Sequence, residues 1–364
     1  MKLNIIRFFI FLIFYLSLDV VYSLYYIKET SYSCYDVSKN FYSLLKNCNK
    51  QEKYGKLSYN VKTDINGYRV GNIKKEAKKD NILFLGDSQV YGVGLDYEDT
   101  FIGGLEKKQT NYNFYNLGVP SYSTLMYKYK LKKFLKTKKT KKVFIFLDLS
   151  DLFGDNFVWG KNIKTNNGKP FLINQDILEK IESGLNDKDF SFKEFKKKYF
   201  KGSRMISKFI NNFFRQIKEN FKSKNIQNNI ITKKSNGGEF TYTPFNDLPN
   251  IWKQKKFSQT KLNFKKNIIE ITDDLRSKKI DYYFIIMPWP ETLEYGQDVF
   301  NWEAYINNIC NETKCKKVIN FFPIFKKIKI KNKNWVNKLF LENDFHPNKY
   351  GSKIITEEIF DIIN

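Results

Sequence analysis

The chain has 364 residues, of which 63 are Lys or Arg and 38 are Asp or Glu, so its formal net charge is +25 at pH 7. Hydrophobic residues make up 42% and aromatic residues 17%, which supports a folded core and excludes wholesale disorder. The single histidine, His346, excludes a metal centre built from several histidines. The lysine excess is weak support for a nucleic-acid partner, because such a composition also arises in an A/T-rich genome.

The first predicted element is an apolar segment, residues 8–27, that follows Lys2 and Arg7 and carries one charge, Asp19. A helix of this length spans about 30 Å, the thickness of a bilayer core. Because an aspartate near its middle costs roughly 2.5–3.5 kcal/mol on insertion, three interpretations stay open. A membrane anchor is favoured over a cleaved signal peptide with its site at 21–23 and over a buried helix of a soluble domain. Both of the first two place the rest of the chain outside the cytoplasm.

The four cysteines form two pairs that are close in sequence, Cys34 with Cys48 and Cys310 with Cys315. They lack the spacing of a zinc ribbon. Two local disulfides would suit an oxidising compartment, and four unpaired thiols are the alternative.

Five short apolar runs are predicted to be strands, and four of them end in Gly, Asp or Pro. Helical patterns, for instance 127–135 and 262–276, lie between the runs, so we expect parallel pairing with helices on both faces of one sheet. Ligands bind beyond the carboxyl ends of strands in such sheets, which points to the residues that follow each run. The runs are 82–85, 114–117, 143–147, 282–287 and 318–321.

The third and fourth runs are separated by about a hundred residues, 152–260, a length that predicts an insertion. Within it, residues 191–224 hold eleven Lys or Arg, two Glu and apolar residues at helical spacing. This pattern predicts a basic amphipathic helix, which either packs on the domain or binds acidic glycan or anionic lipid headgroups. The predicted organisation is an anchor or signal peptide over 1–27, an extension over 28–80, and a domain over 81–364 interrupted by the insertion.

Three residues have the types and the chain order of a catalytic triad. Ser88 directly follows the first strand, where a serine can present its hydroxyl to a substrate and its N–H to an oxyanion. His346 precedes the C-terminal helical pattern, and Asp344 lies two residues before it, placed to orient the imidazole. Taken separately, a Gly-Asp-Ser tripeptide usually marks a turn and a histidine beside Pro and Asn is usually a loop residue. Their conjunction with the predicted strand ends is much more specific.

Three sequence blocks stand out: Leu85-Gly86-Asp87-Ser88, the run 116–124 that contains Gly118, and Asp344-Phe345-His346-Pro347-Asn348. In these blocks the sequence resembles the SGNH/GDSL hydrolase family, over about 60–150 and 262–364. The resemblance implies a three-layer α/β/α sandwich, flavodoxin-like, with a five-stranded parallel sheet. It further implies a Ser88, Asp344 and His346 triad, with backbone N–H groups of Ser88 and Gly118 in the oxyanion hole.

The sequence departs from the family pattern at two places. The third block, expected as Gly-x-Asn-Asp, reads Asp148-Leu149-Ser150-Asp151, so Ser150 offers a hydroxyl where an asparagine amide is expected. Losing one oxyanion donor typically costs on the order of 10²–10³ in rate. Either Ser150 compensates, or Asn156 reaches in, or the enzyme is slow. In many relatives the aspartate lies three residues before the histidine, where this chain has Asn343.

The resemblance implies an extracytoplasmic serine esterase, deacylase or O-acyltransferase that acts on an acylated carbohydrate or a similar ester. We expect an acylated glycan or small ester as substrate, the membrane as a partner through the N-terminal helix, and no metal, cofactor or nucleic acid. One alternative is a catalytically inactive protein of this fold that binds carbohydrate or serves as a scaffold in the cell envelope. Another is a basic nucleic-acid binder, which export and the lack of a recognised binding motif oppose.

Overall fold

The computed structural model describes most of the chain and divides it into two compact units. The first unit comprises residues 1–31, 54–56 and 180–233, and the second comprises 32–53, 57–179 and 234–364. All residues of the predicted site lie in the second unit. The described residues are 2–25, 29–31, 33–36, 43–155, 160, 163–166, 169–172, 254–297, 300–342 and 344–364.

In the first unit, the chain begins with a long helix, α1 (Lys2–Tyr25), followed by a short strand, β1 (Glu29–Ser31). Within the residues that the structure describes, no helix is both long enough and apolar enough to cross a membrane. The anchor or signal peptide over 1–27 therefore stays a prediction.

The second unit begins with two small β pairs ahead of the main sheet. β2 (Tyr35–Asp36) pairs antiparallel with β3 (Ser43–Leu44), and β4 (Asn49–Gly55) is hydrogen-bonded to β5 (Leu57–Lys62). In β5, Tyr59 and Val61 are buried, whereas the residues between and after them are exposed. This extension therefore has its own packed side.

Both cysteine pairs form disulfides. Cys34 is bonded to Cys48, with Cα atoms 5.8 Å apart, and Cys310 is bonded to Cys315. The prediction of two local disulfides is confirmed, and the alternative of four unpaired thiols is wrong. Such disulfides are typical of compartments outside the reducing cytoplasm.

Strands and helices alternate through the rest of the second unit. In chain order they are β6 (Asp80–Leu85), α2 (Ser88–Tyr91), α3 (Phe101–Lys108), β7 (Tyr112–Asn116), α4 (Thr124–Leu135), β8 (Lys142–Leu147), α5 (Leu149–Phe153), β9 (Ile163–Asn166), β10 (Lys169–Leu172), α6 (Gln254–Ser277), β11 (Asp281–Ile286), α7 (Pro290–Tyr295), α8 (Trp302–Thr313), β12 (Val318–Asn320), α9 (Phe322–Lys331), α10 (Trp335–Leu339) and α11 (Lys349–Ile363).

The main sheet has five parallel strands in the order β7-β6-β8-β11-β12. Numbered along the chain, this is 2-1-3-4-5, the flavodoxin-like order, in which ligands bind where the strand order reverses, between the first and third strands. Ser88 follows β6 closely and Asp148 directly follows β8, so both lie at that reversal. The five predicted strands and their parallel pairing are confirmed.

Helices cover both faces of this sheet. α3 packs against α11, whereas α4 packs against α6. Because parallel crossovers are right-handed, the step from β6 to β7 and the opposite step from β7 to β8 place α3 and α4 on opposite faces. The sheet is consequently dry, and the side chains of residues 82–85 are fully buried. These findings confirm the predicted three-layer arrangement.

Part of the predicted insertion, 152–260, is described. It contains an antiparallel pair, β9 with β10, and the first turns of α6. The predicted basic helix over 191–224 and the candidate donor Asn156 lie outside the described residues.

Candidate active site

Ser88 lies at the first position of α2, three residues beyond the end of β6. Asp87 caps this short helix, because its carboxylate accepts the N–H of Gln89 at 2.9 Å. At the first helical position, the N–H of Ser88 has no acceptor within its own helix and points outward. Ser88 is 8% exposed, so its hydroxyl sits at a nearly closed surface.

The structure brings His346 and Asp344 to Ser88 as predicted. His346 Nε2 lies 2.7 Å from Ser88 Oγ, and His346 Nδ1 lies 2.5 Å from Asp344 Oδ1. The same carboxylate oxygen accepts the backbone N–H of His346 at 2.8 Å. Since Asp344 accepts the Nδ1 proton, the lone pair of Nε2 faces the serine hydroxyl. A spacing of two residues therefore suffices for the aspartate to orient the ring.

The loop that carries His346 is fixed from both sides. The carbonyl of His346 accepts the N–H of Leu341 at 2.9 Å. Asn348 caps α11 by accepting the N–H groups of Tyr350 and Gly351, and its amide donates to the carbonyl of Phe340 at 2.9 Å. The Pro-Asn that follows the histidine thus anchors it to the start of the last helix.

The pKa of His346 is raised above its ordinary value of 6.5. Burial of the ring opposes its charged form, but the charge and hydrogen bond of Asp344, together with the charges of Asp87 and Asp148, outweigh burial. This environment stabilises the imidazolium that forms when a base takes the proton of a serine.

Trp289 belongs to the site, and it lies in the segment Pro288–Pro290 that the strand-end rule indicated from the sequence. Its ring stacks on Phe345 with centroids 4.7 Å apart, and Phe345 stacks on His346 at 4.4 Å. The indole Nε1 donates to Asp148 Oδ2 at 2.6 Å. The Pro-Trp-Pro sequence after the fourth predicted strand was the available signal for this contact.

The predicted oxyanion donors are partly engaged within the protein. The N–H of Gly118 donates to Asn116 Oδ1 at 2.9 Å. The N–H of Ser150 donates to Asp148 Oδ1 at 2.6 Å. For either residue to bind an oxyanion, this donor must be shared or exchanged. The roles of Gly118 and Ser150 in the oxyanion hole therefore stay predictions.

Close packing against the backbone explains why residue 118 is a glycine. A Cβ at this position would lie 2.3 Å from the backbone N of Tyr91 and 2.9 Å from the carbonyl O of Asp87. The loop after β7 thus passes directly against the turn that carries Ser88. The Asn116 amide strengthens this contact by donating to the carbonyl of Val90 at 2.8 Å.

Three buried carboxyl groups, Asp87, Asp148 and Asp151, lie at this edge of the sheet. The pKa of each is raised, first because burial disfavours the charged form. The charge of Asp148 further raises the pKa of Asp87, and the charges of Asp87 and Asp148 further raise that of Asp151. Among the described residues, no three His, Cys, Asp or Glu side chains are grouped so as to bind a metal ion.

Comparison with known proteins gives likenesses to solved structures only. No family model and no curated protein matches the chain. The acetyl xylan esterase AlAXEase is 12% identical, with a TM-score of 0.42 over 78% of this chain and 100% of the esterase. A member of the lipolytic protein G-D-S-L family from Veillonella parvula DSM 2008 is 12% identical, with a TM-score of 0.40 over 78% of this chain and 97% of its own.

A third structure, AlinE4, is an SGNH-hydrolase family esterase. It is 13% identical, with a TM-score of 0.35 over 79% of this chain and 97% of AlinE4. We infer no activity from likenesses with TM-scores this low. In its sequence blocks, its sheet order and its serine–histidine–aspartate arrangement, the chain resembles the SGNH/GDSL hydrolases.

Proposed function

We propose that the chain is a serine esterase or deacylase, or an O-acyltransferase, that acts outside the cytoplasm on an acylated carbohydrate or a similar ester. The observation that carries this proposal is the continuous hydrogen-bonded row Ser88 Oγ, His346 Nε2, His346 Nδ1 and Asp344 Oδ1. Groups from distant parts of the chain rarely align in this way at a sheet edge without serving nucleophilic catalysis.

In the proposed mechanism, His346 takes the proton of Ser88 as Oγ attacks the ester carbonyl carbon. The N–H groups of Ser88 and Gly118 and the hydroxyl of Ser150 bind the negative oxygen of the tetrahedral intermediate. The intermediate collapses, the ester C–O bond breaks, and His346 donates its proton to the departing alcohol. Asp344 stabilises the imidazolium throughout.

The acyl-enzyme on Ser88 has two chemically equivalent exits. Attack by water gives hydrolysis, and attack by a glycan hydroxyl gives acyl transfer. In both cases His346 takes the proton of the attacking O–H group, the bond between the acyl carbon and Ser88 Oγ breaks, and His346 returns the proton to Oγ. We include both acceptors in the proposal.

Two observations support an extracytoplasmic location. The disulfides Cys34–Cys48 and Cys310–Cys315 suit an oxidising compartment. The basic and apolar pattern of the first 27 residues has the form of an anchor or signal peptide. Together with this location, the net charge of +25 gives slight support to an acidic polysaccharide, of the cell envelope or exported, as the partner.

A catalytically inactive carbohydrate-binding protein is the second candidate. It is favoured by the engaged donor at Gly118, since the Gly118 N–H already donates to Asn116 within the protein. The aligned triad favours the enzyme instead.

Turnover of p-nitrophenyl acetate by the full chain, measured beside its Ser88→Ala variant, separates these candidates. If the chain is an enzyme that uses Ser88, the natural chain should hydrolyse the ester and the Ser88→Ala variant should not. Equal rates in the two proteins would remove Ser88 from the mechanism. Mass spectrometry of the products formed with an added oligosaccharide acceptor then distinguishes acyl transfer, which yields acylated oligosaccharide, from hydrolysis, which yields free acid.

A further inference from the structure

We propose that two buried charged residues of the N-terminal extension, Glu52 and Arg69, hold the turn that carries Ser88 in its reactive position. We call this pair the brace. The inference rests on the proposed function, because a reactive position has meaning only if Ser88 is the nucleophile. Neither residue is in hydrogen-bond contact with the triad, so both are positioning residues.

Glu52, in β4, is fully buried and binds three groups. Its Oε2 accepts the hydroxyl of Tyr91 at 3.0 Å and that of Tyr59 at 2.9 Å, and its Oε1 accepts the N–H of Cys34 at 3.1 Å. Tyr91 is the last residue of α2, the short helix that begins with Ser88. The carboxyl of Glu52 therefore ties the nucleophile helix to β5 and to the disulfide-bonded segment.

Arg69 is also fully buried, and its guanidinium fastens the chain just after α2. It donates from Nη1 to the carbonyls of Tyr91 at 2.5 Å and Gly92 at 2.7 Å, and from Nη2 to those of Leu95 at 2.5 Å and Asn60 at 3.3 Å. It also lies over the Tyr91 ring, 4.7 Å from the centroid. A planar, five-donor group is suited to hold several carbonyls at fixed angles, which a lysine cannot do.

The turn that the brace holds has little freedom of its own. Gly92 ends α2 in a left-handed conformation, φ +82°, and its N–H donates to the carbonyl of Ser88 at 2.9 Å. A Cβ on Gly92 would lie 3.2 Å from Arg69 Nη1 and 2.4 Å from Thr100 Cγ2. Asp87 fixes the first end of the helix, and the brace fixes the second.

Burying a carboxylate and a guanidinium is an expensive way to stabilise a core, since apolar side chains of similar volume are often at least as stabilising. What the charged pair adds is directional fixation. Serine attack depends on Ser88 Oγ remaining at 2.7 Å from His346 Nε2, and a misplacement of about 1 Å can cost on the order of 10² in rate. The extension thus belongs to the catalytic unit rather than preceding it as a linker.

The chain offers a matched control for the brace. Tyr97 donates its hydroxyl to Glu106 at 3.2 Å, just as Tyr91 donates to Glu52. Both tyrosines and both glutamates are buried, and each glutamate keeps another partner, Lys75 for Glu106 and Tyr59 for Glu52. Only Tyr91 lies on the helix of Ser88. The variants Tyr91→Phe and Tyr97→Phe therefore delete similar hydrogen bonds in two different settings.

The test compares the full chain, Tyr91→Phe and Tyr97→Phe in p-nitrophenyl acetate turnover and in thermal unfolding. We expect Tyr91→Phe to lower kcat about tenfold with little change in KM, because only the alignment of Ser88 is disturbed. Tyr97→Phe should keep kcat within about twofold while shifting the Tm similarly. Equal kcat in the two variants would overturn the brace.

Arg69→Lys provides an independent arm, since it keeps the charge and loses the fork that binds four carbonyls. It should lower kcat at least as much as Tyr91→Phe, and Glu52→Gln, which keeps one acceptor oxygen, should lower it less than Glu52→Ala. If Glu52→Gln and Glu52→Ala are alike and both match the natural kcat, the proposal is wrong.

Hydrogen exchange separates failure of the brace from failure of the proposed function. In Tyr91→Phe, the amides of Tyr91 and Gly92, which bond to the carbonyls of Asp87 and Ser88, should exchange faster than in Tyr97→Phe. If the natural chain shows no turnover, the proposed function fails while faster exchange still supports the fixation of this turn. Unchanged exchange in Tyr91→Phe contradicts the brace whether or not the chain is active.

Discussion

His346 Nε2 lies 2.7 Å from Ser88 Oγ, although 258 residues separate the two in the chain. The positions of two elements of the fold explain this proximity. Ser88 follows β6, one of the strands at the reversal of the sheet order, and His346 precedes α11, which packs on the α3 face. The distance matches the hydrogen bond that a serine needs to its general base.

The pH dependence of turnover should follow His346. A general base must be neutral, and the pKa of His346 is raised above 6.5, so kcat/KM should rise with pH through an inflection above 6.5. In Asp344→Asn, the charge that holds the imidazolium is lost, so the inflection should move to lower pH. The rate should also fall by about 10⁴-fold, the loss that a wrong tautomer causes in a serine protease triad. A rate that is flat from about pH 5 to 8 would contradict His346 as the base.

Substitution at Ser150 tests the third oxyanion donor. If the Ser150 position faces the oxyanion, Ser150→Asn restores an amide donor and should raise kcat by about 10-fold or more, whereas Ser150→Ala should lower it. The comparison uses steady-state kinetics on the same ester. A drop in kcat for Ser150→Asn, with an unchanged Tm, means that this residue serves only its contact with Asp148.

Gly118→Ala should damage both fold and activity. The new Cβ would press on the backbone N of Tyr91 at 2.3 Å and on the carbonyl carbon of Val90 at 2.7 Å, and backbone atoms yield less than side chains. We expect a loss of about 1–3 kcal/mol in the free energy of unfolding, read from urea denaturation. A variant with natural stability and natural kcat is incompatible with the close approach of this loop to α2.

Asp87→Asn should change the pH dependence of stability. Burial first, and then the charge of Asp148, raise the pKa of Asp87 above 3.8. The folded chain then binds more protons than the unfolded chain, so this group's contribution is complete below about 3.8 and is lost as pH rises through the folded pKa.

Asparagine keeps an oxygen that can accept the N–H of Gln89 but carries no charge. The free energy of unfolding of Asp87→Asn, relative to that of the natural chain, should therefore be higher at pH 8 than at pH 5. Urea titration of both proteins at both pH values measures this difference. The same difference at the two pH values would show that the Asp87 carboxyl pays no penalty for ionising in the folded chain.

Much of the fold was predictable because local signals agree with the global arrangement. The apolar runs before Gly86, Gly118 and Asp148 are short and continuous, as strands buried on both faces must be. Ser88 and His346 were identifiable because each stands in a block whose neighbours have a structural role, Asp87 as a helix cap and Asn348 as another.

Other contacts were not predictable, because they depend on where side chains meet in three dimensions. Nothing in the sequence marks Asn116 as the acceptor for the Gly118 N–H, and the Pro-Trp-Pro signal placed Trp289 at the strand end without identifying Asp148 as its acceptor. The brace was hidden for the same reason. Glu52 lies in a strand of mostly polar residues, with exposed neighbours on both sides, and only the packed structure shows it to be fully buried.

Covalent labelling with a fluorophosphonate tests the central claim most directly. Such a probe reacts with a serine that a histidine activates, and intact-mass analysis with peptide mapping counts and locates the adduct. The account predicts one adduct on the natural chain, at Ser88, that is absent in Ser88→Ala and reduced to background in His346→Gln. A natural chain that stays unlabelled, or one labelled equally after His346→Gln, would contradict it.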